Sequence, residues 1–357
     1  MANRFFYPYL GGVEFHILNL SLCLMELGHT VAVVCRAAEG HPARTRFRGL
    51  DVHRLRGYRE LDAVLEEGFD VVHAHMPRNL FTLTSLLFAK RRRIGTVLTP
   101  HCFYPSTDRI HAAAKYVADR TFTRSVLRLA DVTINLTPND QRDALRCGMR
   151  PTRSRIVPNS VRIRELQDTA PMDFRAKHDL PERFLVHVGR FDRVKNIDFL
   201  VRAHRQLDGV GLVLIGQDGG ELTRIRRLIQ DAGTNVTLRI VERAGFAELC
   251  SAYRQASALV MASSYEGLPT VVLEAMYFGC PIVASRVGGI PYVLDEEGVG
   301  AMFTLHDEAG YVAAVRSILA HGRGACAQGP DRISSRYAWE TNARTIAAVY
   351  DQVARQR

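Results

Sequence analysis

The chain has little tryptophan and little lysine: one of its 357 residues is tryptophan, and four of its 47 basic residues are lysine. It also lacks any apolar run near the roughly 20 residues that cross a bilayer. The longest candidate, 17–27, is broken by Asn19, Ser21 and Glu26, which excludes a spanning helix. The seven cysteines are odd in number, scattered and free of any C-x-x-C pair. That argues against a disulfide framework and a zinc site, and for reduced thiols in the cytoplasm. No secretory leader is expected, because the opening residues run straight into Tyr7-Pro8 and Gly11-Gly12. Low-complexity tracts and repeats of solenoid length are missing as well. The basic residues have no interleaved aromatics and no nucleic-acid-binding motif, so a nucleic-acid partner is not expected.

What is present is the composition of an ordinary globular protein, 47% hydrophobic and 24% charged, at a length that favours two domains. The net charge of +10 sits wholly in the first half, where residues 1–165 hold 25 basic against 15 acidic side chains. The run Lys90-Arg91-Arg92-Arg93 and the cluster Arg44, Arg46, Arg48, Arg54, Arg56 carry much of it. Such a patch can hold an anionic membrane surface, nucleic acid or an acidic acceptor; a solvated arginine-rich face is the plain alternative.

Apolar runs of strand length alternate with segments of helical period, which predicts parallel sheets with crossover helices. Strands are predicted at 31–35, 52–55, 71–75, 96–99, 132–136 and 155–157, then at 185–188, 211–215, 236–241, 258–262 and 281–284. Helices are predicted at 13–27, 80–90, 111–129, 139–147, 197–207, 221–232, 247–254, 270–278 and 340–356. Pro158-Asn159-Ser160 and the polar stretch after it mark a boundary. The expected domains are 1–160 plus 338–357, and 161–337. Both are doubly wound α/β units, so ligands are sought in loops at the carboxyl ends of strands.

The strongest motif is Glu266-Gly-Leu-Pro-Thr-Val-Val-Leu-Glu274. Pro269 suits a helix start, which puts Glu266 in a loop and Glu274 inside the helix. Eight positions apart, the two carboxylates make separate contacts on one ligand. A carboxylate that accepts two adjacent hydroxyls suits a ribose; the other carboxylate could hold a transferred sugar. Leu268, Pro269 and Thr270 lead into the helix, whose free first-turn amides would face a diphosphate. Gly189-Arg190-Phe-Asp-Arg-Val-Lys195 follows a buried-type strand. Gly189 allows close approach, and Arg190 and Lys195 put a fork and a point charge on two phosphates. Cleavage of a sugar–phosphate bond builds negative charge there, which fixed cations stabilise. Gly11 and Gly12 open a helix, and their amides could approach the same phosphates; glycine pairs are common in ordinary loops too. His101 ends a strand and could hydrogen-bond the sugar, or be structural. Asp218, in Gly216-Gln217-Asp218-Gly219-Gly220, lies in a loop suited to wrapping a base, or in a plain turn.

Together these residues resemble glycosyltransferase family 4, of the GT-B fold. Glu266 to Glu274 is similar to its E-x7-E element, and Gly189-Arg190 with Lys195 to its phosphate-binding element. Gly11-Gly12 with Glu14 resembles its glycine loop, Gly288-Gly289-Ile290-Pro291 a further segment, and Tyr337-Ala338-Trp339-Glu340 the start of its returning C-terminal helix. Phe5 to Glu14 and Gly28-His29-Thr30-Val31 look most like its phosphatidylinositol N-acetylglucosaminyltransferase-like members. The resemblance implies two Rossmann-like domains with parallel sheets facing across a cleft. It implies transfer with retention from a nucleotide-diphosphate sugar, of UDP-GlcNAc or GDP-mannose type, without cofactor or metal. Glu266 and His101 then serve the donor sugar and reacting carbon, Arg190 and Lys195 the diphosphate, and Glu274 the ribose. The implied acceptor is a lipid or lipid-linked glycan, with the enzyme in the cytoplasm or on the cytoplasmic membrane face. Two features depart from the family. The strand before Gly11 is short or missing, and 242–246 lacks the usual glycine after its strand. The competing functions are a degenerate, non-catalytic GT-B protein that binds nucleotide sugars, and a sugar-nucleotide epimerase or hydrolase.

Overall fold

The computed structural model describes residues 1–9, 11–101, 103, 117–231, 237–297 and 299–355. The predicted helix 111–129 and the ends of the predicted segments 221–232, 236–241 and 340–356 lie partly outside the described residues. The chain divides into two compact units, Met1–Ser160 with Trp339–Arg357, and Val161–Ala338. Ala338, expected in the first unit, falls in the second, where its backbone bridges to Val161.

In the first unit β1 (Ala32–Arg36), β3 (Leu50–Leu55) and β2 (Arg44–Phe47) form one ribbon in the order β1-β3-β2. Strands β4 (Val71–His75), β5 (Gly95–Thr99), β6 (Val132–Asn135) and β7 (Ser154–Ile156) form a second, in sequence order and all parallel. Ala2 joins the two ribbons, bridging Val34 on one side and Ala74 on the other. Its N–H donates to the His73 carbonyl at 2.8 Å, and its carbonyl accepts from the His75 N–H at 3.0 Å. The Val34 N–H donates to the Met1 carbonyl at 2.8 Å. The central strand expected to be short or missing is therefore a stub, and it keeps its hydrogen bonds to both neighbours.

Strand β2 departs from the expected all-parallel sheet. It runs antiparallel to β3 through a two-residue turn, Arg48 and Gly49, both at positive φ (50° and 84°). Paired positive φ values match the right-handed twist of a tight hairpin. Helix Trp339–Arg355 packs on this unit, burying Trp339, Ile346, Val349 and Val353 against Leu20, Leu24, Val97 and Ile134.

The second unit is one parallel sheet, ordered β10-β9-β8-β11-β12-β13. Its strands are β8 (Phe184–Val188), β9 (Gly211–Ile215), β10 (Leu238–Val241), β11 (Ala258–Met261), β12 (Ile282–Ser285) and β13 (Gly300–Phe303). Every residue of β8, β9, β11 and β12 is buried, as expected for strands with helices on both faces. Register is tight: Leu185 pairs with Leu212, and Leu259 with both Val186 and Ile282. Strand β13 and helices Ile290–Glu297, Glu308–His321 and Gly329–Arg336 were not predicted.

Candidate active site

The predicted motifs of the second unit gather on one edge. The loops at 189–195, 216–220, 263–268 and 286–289 follow β8, β9, β11 and β12, which are consecutive in the sheet. This is the carboxyl edge where open parallel sheets bind ligands.

Lys195 ends a short 3-10 turn, Arg193–Lys195, whose N-cap Asp192 accepts from the Val194 N–H at 3.1 Å. Asn196, at φ 45°, pins this turn to the end of β11. Its Nδ2 donates to the Ala262 carbonyl at 2.8 Å and to Ser264 Oγ at 2.7 Å. Lys195 Nζ then lies 2.5 Å from Glu266 Oε1, and Ser263 Oγ donates to the same oxygen at 2.6 Å. Both side chains of the ion pair are mostly buried, at 19% and 11% exposure, so solvent screens the pair weakly. The predicted cation and the predicted sugar-holding carboxylate are thus brought together.

Two glycines make this convergence possible. A β-carbon on Gly288, which sits at φ 55°, would fall 1.7 Å from the Glu266 carbonyl oxygen. The neighbouring Gly289 N–H donates to the Gly267 carbonyl at 2.9 Å, so 288–289 forms the floor of the Glu266 loop. A β-carbon on Gly216 would fall 1.8 Å from the Gly189 carbonyl oxygen. Gly189 itself has room for a methyl group, since its nearest neighbours are at ordinary contact distance.

Arg190 is exposed and held by Asp192, with Nε donating to Oδ2 at 3.1 Å. Asp218, predicted to meet the base, is occupied by its own loop. Its Oδ1 accepts from the Gly220 N–H at 2.7 Å and the Leu222 N–H at 3.1 Å, and these bonds hold its carboxyl below the usual range.

Pro269 caps helix Thr270–Tyr277 instead of occupying its first position, and Leu268 before it is buried. Thr270 opens the helix. Glu274 lies within it and accepts from the Tyr253 hydroxyl at 3.1 Å. Burial pushes the Glu274 carboxyl up to about 7, opposed by that hydrogen bond.

In the first unit Gly11 caps helix Gly12–Glu26, and its N–H donates to Glu14 Oε2 at 3.0 Å. The first of the two predicted amides is therefore already satisfied by the helix's own carboxylate. Neither Gly11 nor Gly12 has positive φ, so backbone conformation does not require a glycine at either. His101, at φ 64°, is buried beyond the end of β5, with Nε2 3.0 Å from His75 Nδ1. Burial first, and then the nearby His16 and His73, hold its pKa well below the usual histidine value. The basic cluster needs correction. Arg54 is 1% exposed and donates to the carbonyls of Pro42 and Tyr7. Arg44 pairs with Glu67, Arg46 with Asp51, Lys90 with Asp131, and Arg92 with Asp62 and Glu66. The burial of Arg54 and these acidic partners leave less open positive surface than the sequence count suggests.

Ser263 was legible in the sequence, beside the motif at a strand end on the ligand side. The sequence reading gave no role to Tyr253, Asn196 or His16, which carry no comparable local signal.

Residues 10–165 match the family described as Glycosyltransferase Family 4, and residues 169–344 match Glycosyl transferases group 1. The chain belongs to glycosyltransferase family 4. Its fold is GT-B, shared with sucrose-phosphate synthase from Thermosynechococcus elongatus at TM-score 0.81 and 24% identity, over 97% of this chain and 94% of that one. HepE of Anabaena, solved with UDP and glucose, superposes at TM-score 0.78 with 16% identity over 98% of both chains. Among curated relatives, this glycosyltransferase is 24% identical to the phosphatidylinositol N-acetylglucosaminyltransferase GPI3 subunit of Saccharomyces cerevisiae, over 83% of this chain and 70% of the relative. It is 26% identical to D-inositol 3-phosphate glycosyltransferase of Xylanimonas cellulosilytica, over 97% and 93%. Among the described residues, no helix of the glycosyltransferase is long and apolar enough to cross a membrane.

Proposed function

We propose that this glycosyltransferase moves a sugar from a nucleotide-diphosphate donor, with retention of configuration and without a metal. The donor is of UDP-GlcNAc or GDP-mannose type. The observation that carries the reading is the Lys195–Glu266–Ser263 cluster past the ends of β8 and β11, with Arg190 in the same loop as Lys195 and Glu274 in the helix that follows the Glu266 loop. A donor's diphosphate takes Lys195 and Arg190 as counter-ions, and Glu266 is released to the hydroxyls of the sugar. Glu274 accepts the ribose hydroxyls, and the first-turn amides of helix Thr270–Tyr277 add positive potential at the phosphates. His101 serves the reacting carbon, and Gly11 and Gly12 the phosphates, as the family resemblance implies. Charge grows on the departing phosphate, so fixed cations lower the barrier without a dedicated base.

The acceptor in this reading is a lipid or lipid-linked glycan carrying an inositol-type headgroup, and the enzyme works on a cytoplasmic membrane face. Support comes from relatives named for phosphatidylinositol and inositol phosphate. Exposed Phe5, Tyr9 and Phe15 lie close in sequence to the glycine loop, and Arg56, Arg59, Arg91 and Arg93 are exposed in the same unit. Aromatic side chains with basic neighbours suit a lipid interface.

A thermal-shift panel of nucleotide sugars identifies the donor, since a true ligand raises the melting temperature with its occupancy. Transfer is then measured with that donor, and the product anomer is read by NMR. Lys195→Ala is expected to lower turnover by about 10²–10³ while the fold persists. Undiminished turnover in Lys195→Ala and Glu274→Ala would refute the assignment. Inverted product would refute retention. Interconversion of the donor sugar in the absence of any acceptor would favour an epimerase.

A further inference from the structure

Thirteen histidines are present, and three of them converge in the first unit: His16 on helix Gly12–Glu26, His75 at the end of β4, and His101 beyond β5. They are 2%, 0% and 7% exposed. One ring nitrogen from each lies within 4.8 Å of the other two. The His16 ring stands edge-on to His101, with centroids 4.7 Å apart, and to His75 at 5.7 Å.

Hydrogen bonding settles where the protons are. Asn159 Oδ1 accepts from the Ser160 N–H at 3.1 Å, so this atom is the oxygen, and His16 Nδ1, also at 3.1 Å from it, is the donor. A neutral ring has one N–H, so His16 Nε2 carries a bare lone pair. Among the described residues that nitrogen is buried with no hydrogen-bond partner, and so is His75 Nε2. A hydrogen on His75 Nε2 would be an orphaned buried donor, which is costly. His75 therefore carries its proton on Nδ1 and donates it to His101 Nε2. An imidazole ligates through its unprotonated nitrogen, and in these tautomers each of the three rings has one. His73 is different: both of its nitrogens are occupied, by Tyr350 and Thr99.

We infer that His16, His75 and His101 form a binding site for a divalent transition-metal ion of the zinc class. Three neutral imidazoles with no carboxylate among them favour Zn²⁺, Ni²⁺ or Cu²⁺ over the oxygen-seeking Mg²⁺ and Ca²⁺. Tetrahedral zinc with bonds of about 2.0–2.1 Å needs nitrogens about 3.4 Å apart. Ring rotation of His16 and His101 closes the difference, and the His75–His101 hydrogen bond opens as each ring turns a lone pair to the ion. No proton is released, since each neutral ring already has one unprotonated nitrogen, that of His101 being freed as its bond from His75 opens. Asn159, bonded to the far nitrogen of His16, is the outer support that metal-bound histidines usually have. A fourth position is left for water or a ligand atom. Because His101 is one of the three, an ion here withdraws it from the sugar and inhibits transfer. That consequence rests on the proposed function; the binding does not.

The test uses the full chain and Co²⁺ as a spectroscopic probe, with zinc displacement to follow. We expect one equivalent of Co²⁺ with intense tetrahedral visible bands, removed by Zn²⁺. His16→Ala and His75→Ala should each abolish the bands, while His41→Gln, at an exposed histidine, should not change them. Asn159→Ala should weaken affinity about 10–100-fold, and Asn159→Asp should tighten it, an ordering that a purely structural role does not produce. Bands that are absent at millimolar Co²⁺, or that survive both histidine substitutions, overturn the site. If either histidine variant fails to fold, as judged by its melt, equal affinity of the two Asn159 variants overturns it instead.

Discussion

Replacing Glu274 with glutamine should remove a specific part of the pH dependence of stability. Burial raises this carboxyl from 4.5 to about 7 in the folded chain, so folding takes up a proton in that interval. A folded pKa above the unfolded one contributes stability that is fully present below pH 4.5 and is lost as pH rises through about 7. At about 1.4 kcal/mol for each pH unit between the two values, the loss is about 3 kcal/mol. Partial exposure of the side chain brings this to about 2–3 kcal/mol. Glutamine keeps the shape and cannot ionise. Parent and variant should match at pH 4.5, and the variant should be the more stable by about 2–3 kcal/mol at pH 8. For a unit the size of Val161–Ala338 this is about 4–12 °C in melting temperature. Calorimetric melts across that range measure it, and hydrogen exchange at β8 and β9 amides assigns the transition to the correct unit. Parallel curves for the two proteins would show that the carboxyl is not held neutral, and the reasoning would fail.

Tyr253→Phe should push the Glu274 carboxyl higher still, because its hydroxyl is the group that opposes burial; NMR titration of labelled glutamate reads this, and an unchanged value refutes it. Gly288→Ala should destabilise by at least about 1–3 kcal/mol for positive φ alone, more with the clash at the Glu266 carbonyl, as measured by urea unfolding. Ser263→Ala should lower turnover more than it lowers stability, since it frees one side of Glu266 while leaving the strand intact. Binding to anionic liposomes should weaken with salt, and equal affinity for neutral liposomes would remove the membrane from the proposal.

The second unit was the easier half to read. Its central strands are apolar runs, interrupted in β8 by the buried His187, because helices cover both faces, and each run ends at a glycine or polar loop. Strand β2 was missed because Arg44-Thr-Arg-Phe47 has no apolar pattern. Its hairpin was hidden by an arginine at a positive-φ position that usually signals Asn or Gly. The stub at Ala2 was underestimated because it makes its bonds to strands on both sides without the length of a strand. Arg54 was counted as surface charge, whereas two backbone carbonyls stabilise it inside the unit.

Periodicity and motif spacing alone determined that parallel sheets form and that the charged residues of the second unit stand just past strand ends. Apolar burial drives the first, and chain connectivity compels the second. Only the tertiary structure decided the partners. Lys195 meets Glu266 across 71 positions because β8 lies beside β11, and His16 meets Asn159 across 143. Hydrogen bonds and ion pairs act over a few ångströms, and strand order, which the local pattern leaves open, sets which distant side chains come that close.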